Sequence, residues 1–288
     1  MPTKTAGQIA QLIQMACALE VCAPKPGNVN RCHDFADSSL EDFLLSAISI
    51  GPAFEGAASD GVGQIILNAV SDTGAWVRSN TNLGMILLFA PLAKACVGIS
   101  GFSEIRPKLK KILNALTVED ARLAYTAIRR AQPGGLGTVA HSDISEDPSV
   151  TLLQAMAFAQ DRDSIAREYV TDYAVTFEIG LPVLNREWNR EDARARAIVQ
   201  TYLCLLSEVP DTLIARKKGP ETARKIAGMA KDVLAKGGIH THDGRLALAE
   251  MDRALRDEKH ALNPGTTADL TAAALFLAMF ARELEKDS

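Results

Sequence analysis

Apolar residues recur at helical spacing along most of the chain. Ile9, Leu12, Ile13, Ala16 and Leu19 share one face of a 3.6-residue period and predict an N-terminal helix. It should stop before Pro24, because Lys25-Pro26-Gly27 cannot continue it. Ser39 with Asp42 three residues on predicts a capped helix start, and 40–54 keeps helical periodicity. Similar patterns predict helices over 61–76, 83–97, 103–114, 118–130, 149–160, 163–178, 192–207, 221–236, 243–259 and 267–285. Gly, Pro, Asn and Asp cluster over 24–38, 77–82, 132–148, 180–190, 209–220, 237–243 and 260–267, which predicts loops there. Alternating β-branched runs bounded by hairpin turns are almost absent, which argues against a sheet. The expectation is all-α: a single compact multi-helix domain over residues 1–288, with polar Gly/Pro loops forming the site.

The longest apolar stretches, Leu83 to Val97 and Thr271 to Ala281, fall short of the ~18–20 residues of a membrane span. They predict helices buried on most sides. With 288 residues, 47% of them hydrophobic, the chain can bury a large core and is not disordered. Aromatics are only 5%, which favours helix over sheet and leaves polar loops and aliphatic helix faces to hold any nucleotide base. A net charge of −4 argues against a nucleic-acid partner. Five irregularly spaced cysteines without CxxC, and a polar N-terminus without a secretory leader, predict a cytoplasmic protein with reduced thiols.

Four loop-to-helix junctions carry combinations that capping alone does not require. The first is Glu20, then Pro24-Lys25-Pro26-Gly27-Asn28-Val29, with His33 and Asp34 nearby. Two prolines restrict the backbone around Lys25, which suits an ammonium aimed at an anion and equally suits a stiff surface turn. The second is Arg78-Ser79-Asn80-Thr81-Asn82-Leu83-Gly84, with Asp72 one to two turns upstream. One polar residue caps a helix, and this junction has a surplus fit for a sugar or phosphate. The third is Asp211-Thr212, then Arg216-Lys217-Lys218-Gly219, adjacent cations in an acidic protein. The fourth is Asn263-Pro264-Gly265-Thr266-Thr267-Ala268-Asp269, where a threonine can cap and a carboxylate opens an otherwise apolar helix. Helix N-termini offer free N–H groups, so such a fold can hold phosphate without a P-loop.

Two other motifs carry less. His240-Thr241-His242 looks like a metal-binding pair but follows Gly237-Gly238 at a helix end rather than a strand. Pro133-Gly134-Gly135-Leu136-Gly137 lacks the spacing and the Walker lysine of a nucleotide loop.

In this order the junctions resemble the triphosphoribosyl-dephospho-coenzyme A synthase family, associated with the prosthetic groups of citrate lyase and malonate decarboxylase. The resemblance runs through Glu20-Val21, Pro24-Lys25-Pro26-Gly27, Asn80-Thr81 with Gly84, Asp211-Thr212 with Arg216 and Gly219, and Asn263-Pro264-Gly265 with Asp269. It implies an all-α transferase that moves the triphosphoribosyl group of ATP to the ribose 2′-hydroxyl of 3′-dephospho-CoA and releases adenine. It implies Lys25, Arg78 and Arg216 on phosphates with Lys217 behind them, Gly27 and Gly265 beside the nucleotide, and Asn80 and Thr81 orienting ribose or phosphate. Asp211 and Asp269 become the candidates for Mg²⁺ and for the general base, followed by Asp34 and Asp72. A homodimer is the expectation from base rates for soluble enzymes. The chain departs from the family pattern at Gly134–Thr138, at Thr81-Asn82 and at Lys217-Lys218. Those differences leave open transfer to another coenzyme precursor, such as one used in one-carbon coenzyme synthesis, or nucleotide binding without turnover.

Overall fold

The structure is a computed structural model that describes residues 3–133, 144–190, 194–257 and 259–286. Its described residues form helices and connecting turns with no strand, apart from one isolated bridge between Asn30 and His33. Helix α1 (Ala6–Cys22) starts at a Thr5/Gln8 capping box and ends before Pro24. Helix α2 (Leu40–Ser49) starts at the predicted Ser39/Asp42 box. The pattern over 40–54 is one helix in sequence and two in the fold, because Gly51-Pro52 opens a separate α3 (Gly51–Glu55). Then follow α4 (Val62–Gly74), α5 (Leu83–Cys96), α6 (Ile105–Asn114) and α7 (Val118–Ala131).

The second half departs further from the periodicity. Helices α8 (Leu152–Ala159) and α9 (Ser164–Val170) are short, and a π-helical turn at Thr176–Gly180 runs straight into α10 (Leu181–Arg190). A loop was expected over 180–190. Gly180-Leu181-Pro182 reads as a breaker, yet the chain stays helical past it, because the widened π-helical turn, in which Leu181 N–H reaches back to Thr176 O, directly precedes Pro182. Helix α11 (Arg194–Glu208) leads to α12 (Thr212–Lys218), another short helix where a loop was expected. Helices α13 (Pro220–Ala235), α14 (His242–Leu255) and α15 (Gly265–Glu285) complete the chain.

Helix α15 is the axis of the core. It packs on α1, α5, α10 and α11, and every residue from Leu270 to Phe280 is buried. Helix α5 is buried on most sides too. Phe89 of α5 meets Phe54 and Phe276 edge-on, joining α3, α5 and α15 in one apolar cluster. Among the described residues no helix is long and apolar enough to cross a membrane. Pro91 lies inside α5 and cannot donate to Leu87. The hydroxyl of Tyr169 on α9 takes that place on the Leu87 carbonyl, at 2.6 Å, and Tyr173 binds the Leu88 carbonyl at 2.9 Å. Two buried tyrosines therefore hold α5 in place from outside the helix.

Candidate functional site

The starts of α5, α12 and α15 face a cavity of about 510 Å³, together with the loop after α1 and the turn before α9. Each helix start carries the positive end of a dipole, so their convergence favours an anion.

Lys25 lines this cavity and is buried at 1% exposure. Its ammonium lies 3.0 Å from the Glu20 carboxylate and also donates to the Glu20 and Ala23 carbonyls. The lysine therefore reaches the cavity already paired. Burial pushes the Glu20 carboxyl up, opposed by the Lys25 charge. Arg216 comes from α12 and pairs with Asp163 at 2.5 Å. The other oxygen of Asp163 accepts from Ile165 and Ala166 N–H at the start of α9, so one carboxylate caps a helix and holds an arginine. Lys217 is different. Its ammonium donates to two neutral oxygens, His260 O at 3.3 Å and Asn263 Oδ1 at 3.1 Å. Burial pulls its pKa down.

Asp269 lines the cavity from the first turns of α15. No described residue hydrogen-bonds or ion-pairs with its carboxylate. Burial raises its pKa well above the usual carboxylate range, and the nearby Glu20, Asp211 and Asp163 add to this while Arg216 opposes it. Gly84, in the first turn of α5, makes the close approach possible. A Cβ there would stand 2.1 Å from Asp269 Oδ2 and 2.6 Å from Ile165 Cδ1.

Several expected residues lie elsewhere. Asp211 is not on the cavity wall. One of its oxygens caps α12 through Leu213 and Ile214 N–H. The other accepts from the Thr267 amide at 2.7 Å and hydroxyl at 2.8 Å. This carboxylate ties the starts of α12 and α15 together, and its lone pairs are taken. It also replaces the threonine cap expected on α15, which has no side-chain cap of its own. Asp34 is exposed and accepts from Leu40 N–H at 2.7 Å, clipping the loop to α2. Asp72 lies on α4 and lines neither this cavity nor the one behind the 80–82 turn; burial raises its pKa. Gly27 has φ +74°, and its site for a Cβ is filled by Leu255 of α14, so it packs the loop rather than facing the cavity.

The 80–82 turn divides its work. Asn80 accepts from Leu83 N–H and caps α5 while lining the cavity. The Thr81 hydroxyl bonds Ser46 at 2.5 Å. Asn82 reaches Thr73 and the Ser46 carbonyl. Gly265 lines the cavity beside Leu213. Arg78 faces away, into a second cavity of about 530 Å³ behind the same turn.

Beside the polar loops and aliphatic faces expected to meet a base, the cavity carries aromatic side chains. Phe35, Phe43, Tyr125 and Phe158 line the cavity, and Phe35 stacks on His260 with ring centroids 3.9 Å apart. Few aromatics in the whole chain are compatible with many at one place. The role of Asp163 also escapes a sequence reading, although an Asp just before Ser164-Ile165-Ala166 is an N-cap signal. His240 contacts buried Glu187 at 2.8 Å on the α10–α11 side, and His242 is exposed. Among the described residues no group of three or more His, Cys, Asp and Glu side chains is placed to hold a metal ion. The Gly134–Thr138 motif lies outside the described residues.

Fold and cavity together define a class: an all-α protein whose internal cleft, lined by cations, aromatics and helix starts, suits a polyphosphorylated nucleotide. Comparison with known proteins narrows this. A family model described as CitG, ATP:dephospho-CoA triphosphoribosyl transferase, matches residues 6–288, and the chain belongs to that family of transferases. A Malonomonas rubra protein named "Probable 2-(5''-triphosphoribosyl)-3'-dephosphocoenzyme-A synthase" is 25% identical over 295 residues, covering 96% of this chain and 88% of that protein. The Klebsiella pneumoniae 2-(5''-triphosphoribosyl)-3'-dephosphocoenzyme-A synthase is 33% identical over 101 residues, covering 34% of this chain and 35% of that protein. A crystal structure from Archaeoglobus fulgidus, named for triphosphoribosyl-dephospho-coA synthase, superposes with a TM-score of 0.64 at 28% identity, covering 83% of this chain and 98% of that one.

Proposed function

We propose that the cavity transfers the triphosphoribosyl group of ATP to the ribose 2′-hydroxyl of dephospho-CoA, with Asp269 as general base. The observation that carries this reading is the Asp269 carboxylate, unpartnered among the described residues where α5 and α15 begin.

The acceptor 2′-oxygen forms a bond to C1 of the ATP ribose as the C1–N9 bond breaks. The bonding pair leaves with adenine. The hydroxyl proton goes to Asp269, and adenine takes up one proton as it departs. Charge builds on the ribose ring as an oxocarbenium-like centre. A carboxylate with a raised pKa is a better proton acceptor than an ordinary one, and general-base help is typically worth ~10²–10⁴-fold. Lys217 and Arg216 hold the triphosphate, and Asn80 and Thr81 line the wall beside it. The aromatic rim around Phe35 and His260 takes an adenine face.

The residues fit Mg²⁺ held chiefly by triphosphate oxygens and water, as that ion prefers. Asp37 on the rim is a carboxylate open to it, its described hydrogen-bond partner being the Ser38 hydroxyl. Asp211, with four donors on its oxygens, does not fit a metal-ligand role. When bound, Mg²⁺ neutralises phosphate charge.

Protein, ATP, Mg²⁺ and dephospho-CoA should release free adenine in step with acceptor consumption, read by chromatography. No adenine at any acceptor concentration overturns the reading. Adenine released without acceptor replaces it with nucleotide hydrolysis.

A further inference from the structure

The second cavity lies behind the turn that walls the first. Ser79, Asn80, Asn82 and Leu83 line both, so the two spaces are separated by a single stretch of chain. The second holds two arginines, Arg78 from the turn and Arg130 from the last turn of α7. Arg130 donates to the Ser71 hydroxyl at 2.7 Å. Neither arginine is ion-paired with a described carboxylate. In the first cavity Lys25 and Arg216 are held by carboxylates, while Lys217 donates to neutral oxygens.

Two guanidinium groups beside neutral hydroxyls suit oxygens of a phosphate ester, since each planar fork can take two of them. The proposed reaction has two phosphorylated substrates and needs them on separate sites. The donor triphosphate is served by Lys217 and Arg216 in the first cavity. The acceptor carries its own diphosphate on the 5′ side of the same ribose whose 2′-hydroxyl reacts. That ribose must reach the first cavity, and the second cavity adjoins it along Ser79, Asn80, Asn82 and Leu83, where a diphosphate extending from the ribose would run over the shared rim.

The geometry points to Arg78 and Arg130 as the subsite for the diphosphate of the acceptor. This inference rests on the transfer reaction proposed above, and it moves Arg78 from donor to acceptor.

Steady-state kinetics on the full chain test it with Arg78→Gln, Arg130→Gln and the double variant. The double variant should raise KM for dephospho-CoA at least tenfold, with KM for ATP and kcat within about twofold of wild type. Each single variant should show a smaller shift in the same direction. Arg78 is exposed and makes no bond to a described residue, so Arg78→Gln keeps the fold, and thermal melting checks this. An unchanged acceptor KM overturns the inference while the transfer reaction stands. So does an equal rise in the ATP KM, which returns Arg78 to the donor. Failure of wild-type protein to release adenine from ATP and dephospho-CoA overturns the underlying reading instead, and the inference with it.

Discussion

Tyr169 donates its hydroxyl to the carbonyl of Leu87, the one acceptor in α5 that Pro91 leaves without its helical amide. A residue on α9 thus completes a hydrogen bond that belongs to α5. The same two helices carry Gly84 and Ile165, which meet beside Asp269, so the repair also fixes one wall of the cavity.

Tyr169→Phe should cost about 1–3 kcal/mol, because it strands a buried carbonyl. In a Pro91→Ala background the new amide supplies the missing donor, and the same change should cost under about 1 kcal/mol. Denaturant melts of the four proteins form the cycle. Equal costs in both backgrounds would show that the hydroxyl does not stand in for the lost amide.

Asp269→Asn should reduce kcat by about 10²–10⁴-fold. Wild-type kcat/KM should rise with pH through an acid limb above the ordinary carboxylate range, since burial and nearby carboxylates raise this group. Stability responds in the same window. The folded pKa lies above the unfolded value of about 3.9, so the folded state holds its proton longer and stability falls as pH rises between the two. Asparagine does not ionise. The variant should therefore melt with wild type below about pH 4 and higher than wild type at pH 8, by about 2–4 °C for each kcal/mol relieved. A variant less stable at pH 8 would contradict this.

Gly84→Ala adds one methyl where Asp269 and Ile165 already stand. Alanine favours a helix by about 1 kcal/mol over glycine, so propensity alone would make the variant more stable. The expected result is at least a 100-fold loss in kcat through displacement of the carboxylate. Ile165→Val removes the second clash but not the first, and should not restore activity. If it does, Gly84 serves packing alone.

Asp211→Ala should cost roughly 2–4 kcal/mol, combining a lost helix cap with two stranded donors on Thr267. Activity and melting temperature should fall together. Full stability with abolished turnover would put Asp211 back in the chemistry.

Much of this architecture is legible from local pattern. The stop of α1 before Pro24 and the Ser39 cap follow from near neighbours, and they match the fold. Leu181–Arg190 does not, because Pro182 reads as a breaker and nothing local signals the π-helical turn that carries the helix past it. The site is harder to read for a related reason. Asp211 and Asp269 look alike in sequence, each a carboxylate at a helix start. Only the fold shows that Thr267, 56 positions from Asp211, occupies the first, while Gly84 leaves room beside the second. Asp163 hides behind a partner 53 positions away, Arg216. Capping is local information; what a cap does with its second oxygen is not.

The pairing of Arg216 with Asp163 bears on turnover in the proposed reaction. There the product keeps the whole triphosphate of the donor. Every phosphate contact made by ATP is therefore made again by the product, and grip on that group cannot distinguish the start of the cycle from its end. Stronger grip would tighten both and slow departure without helping the chemical step. In that proposal Asp163 already shares Arg216 and would loosen its hold, so that the product leaves more readily.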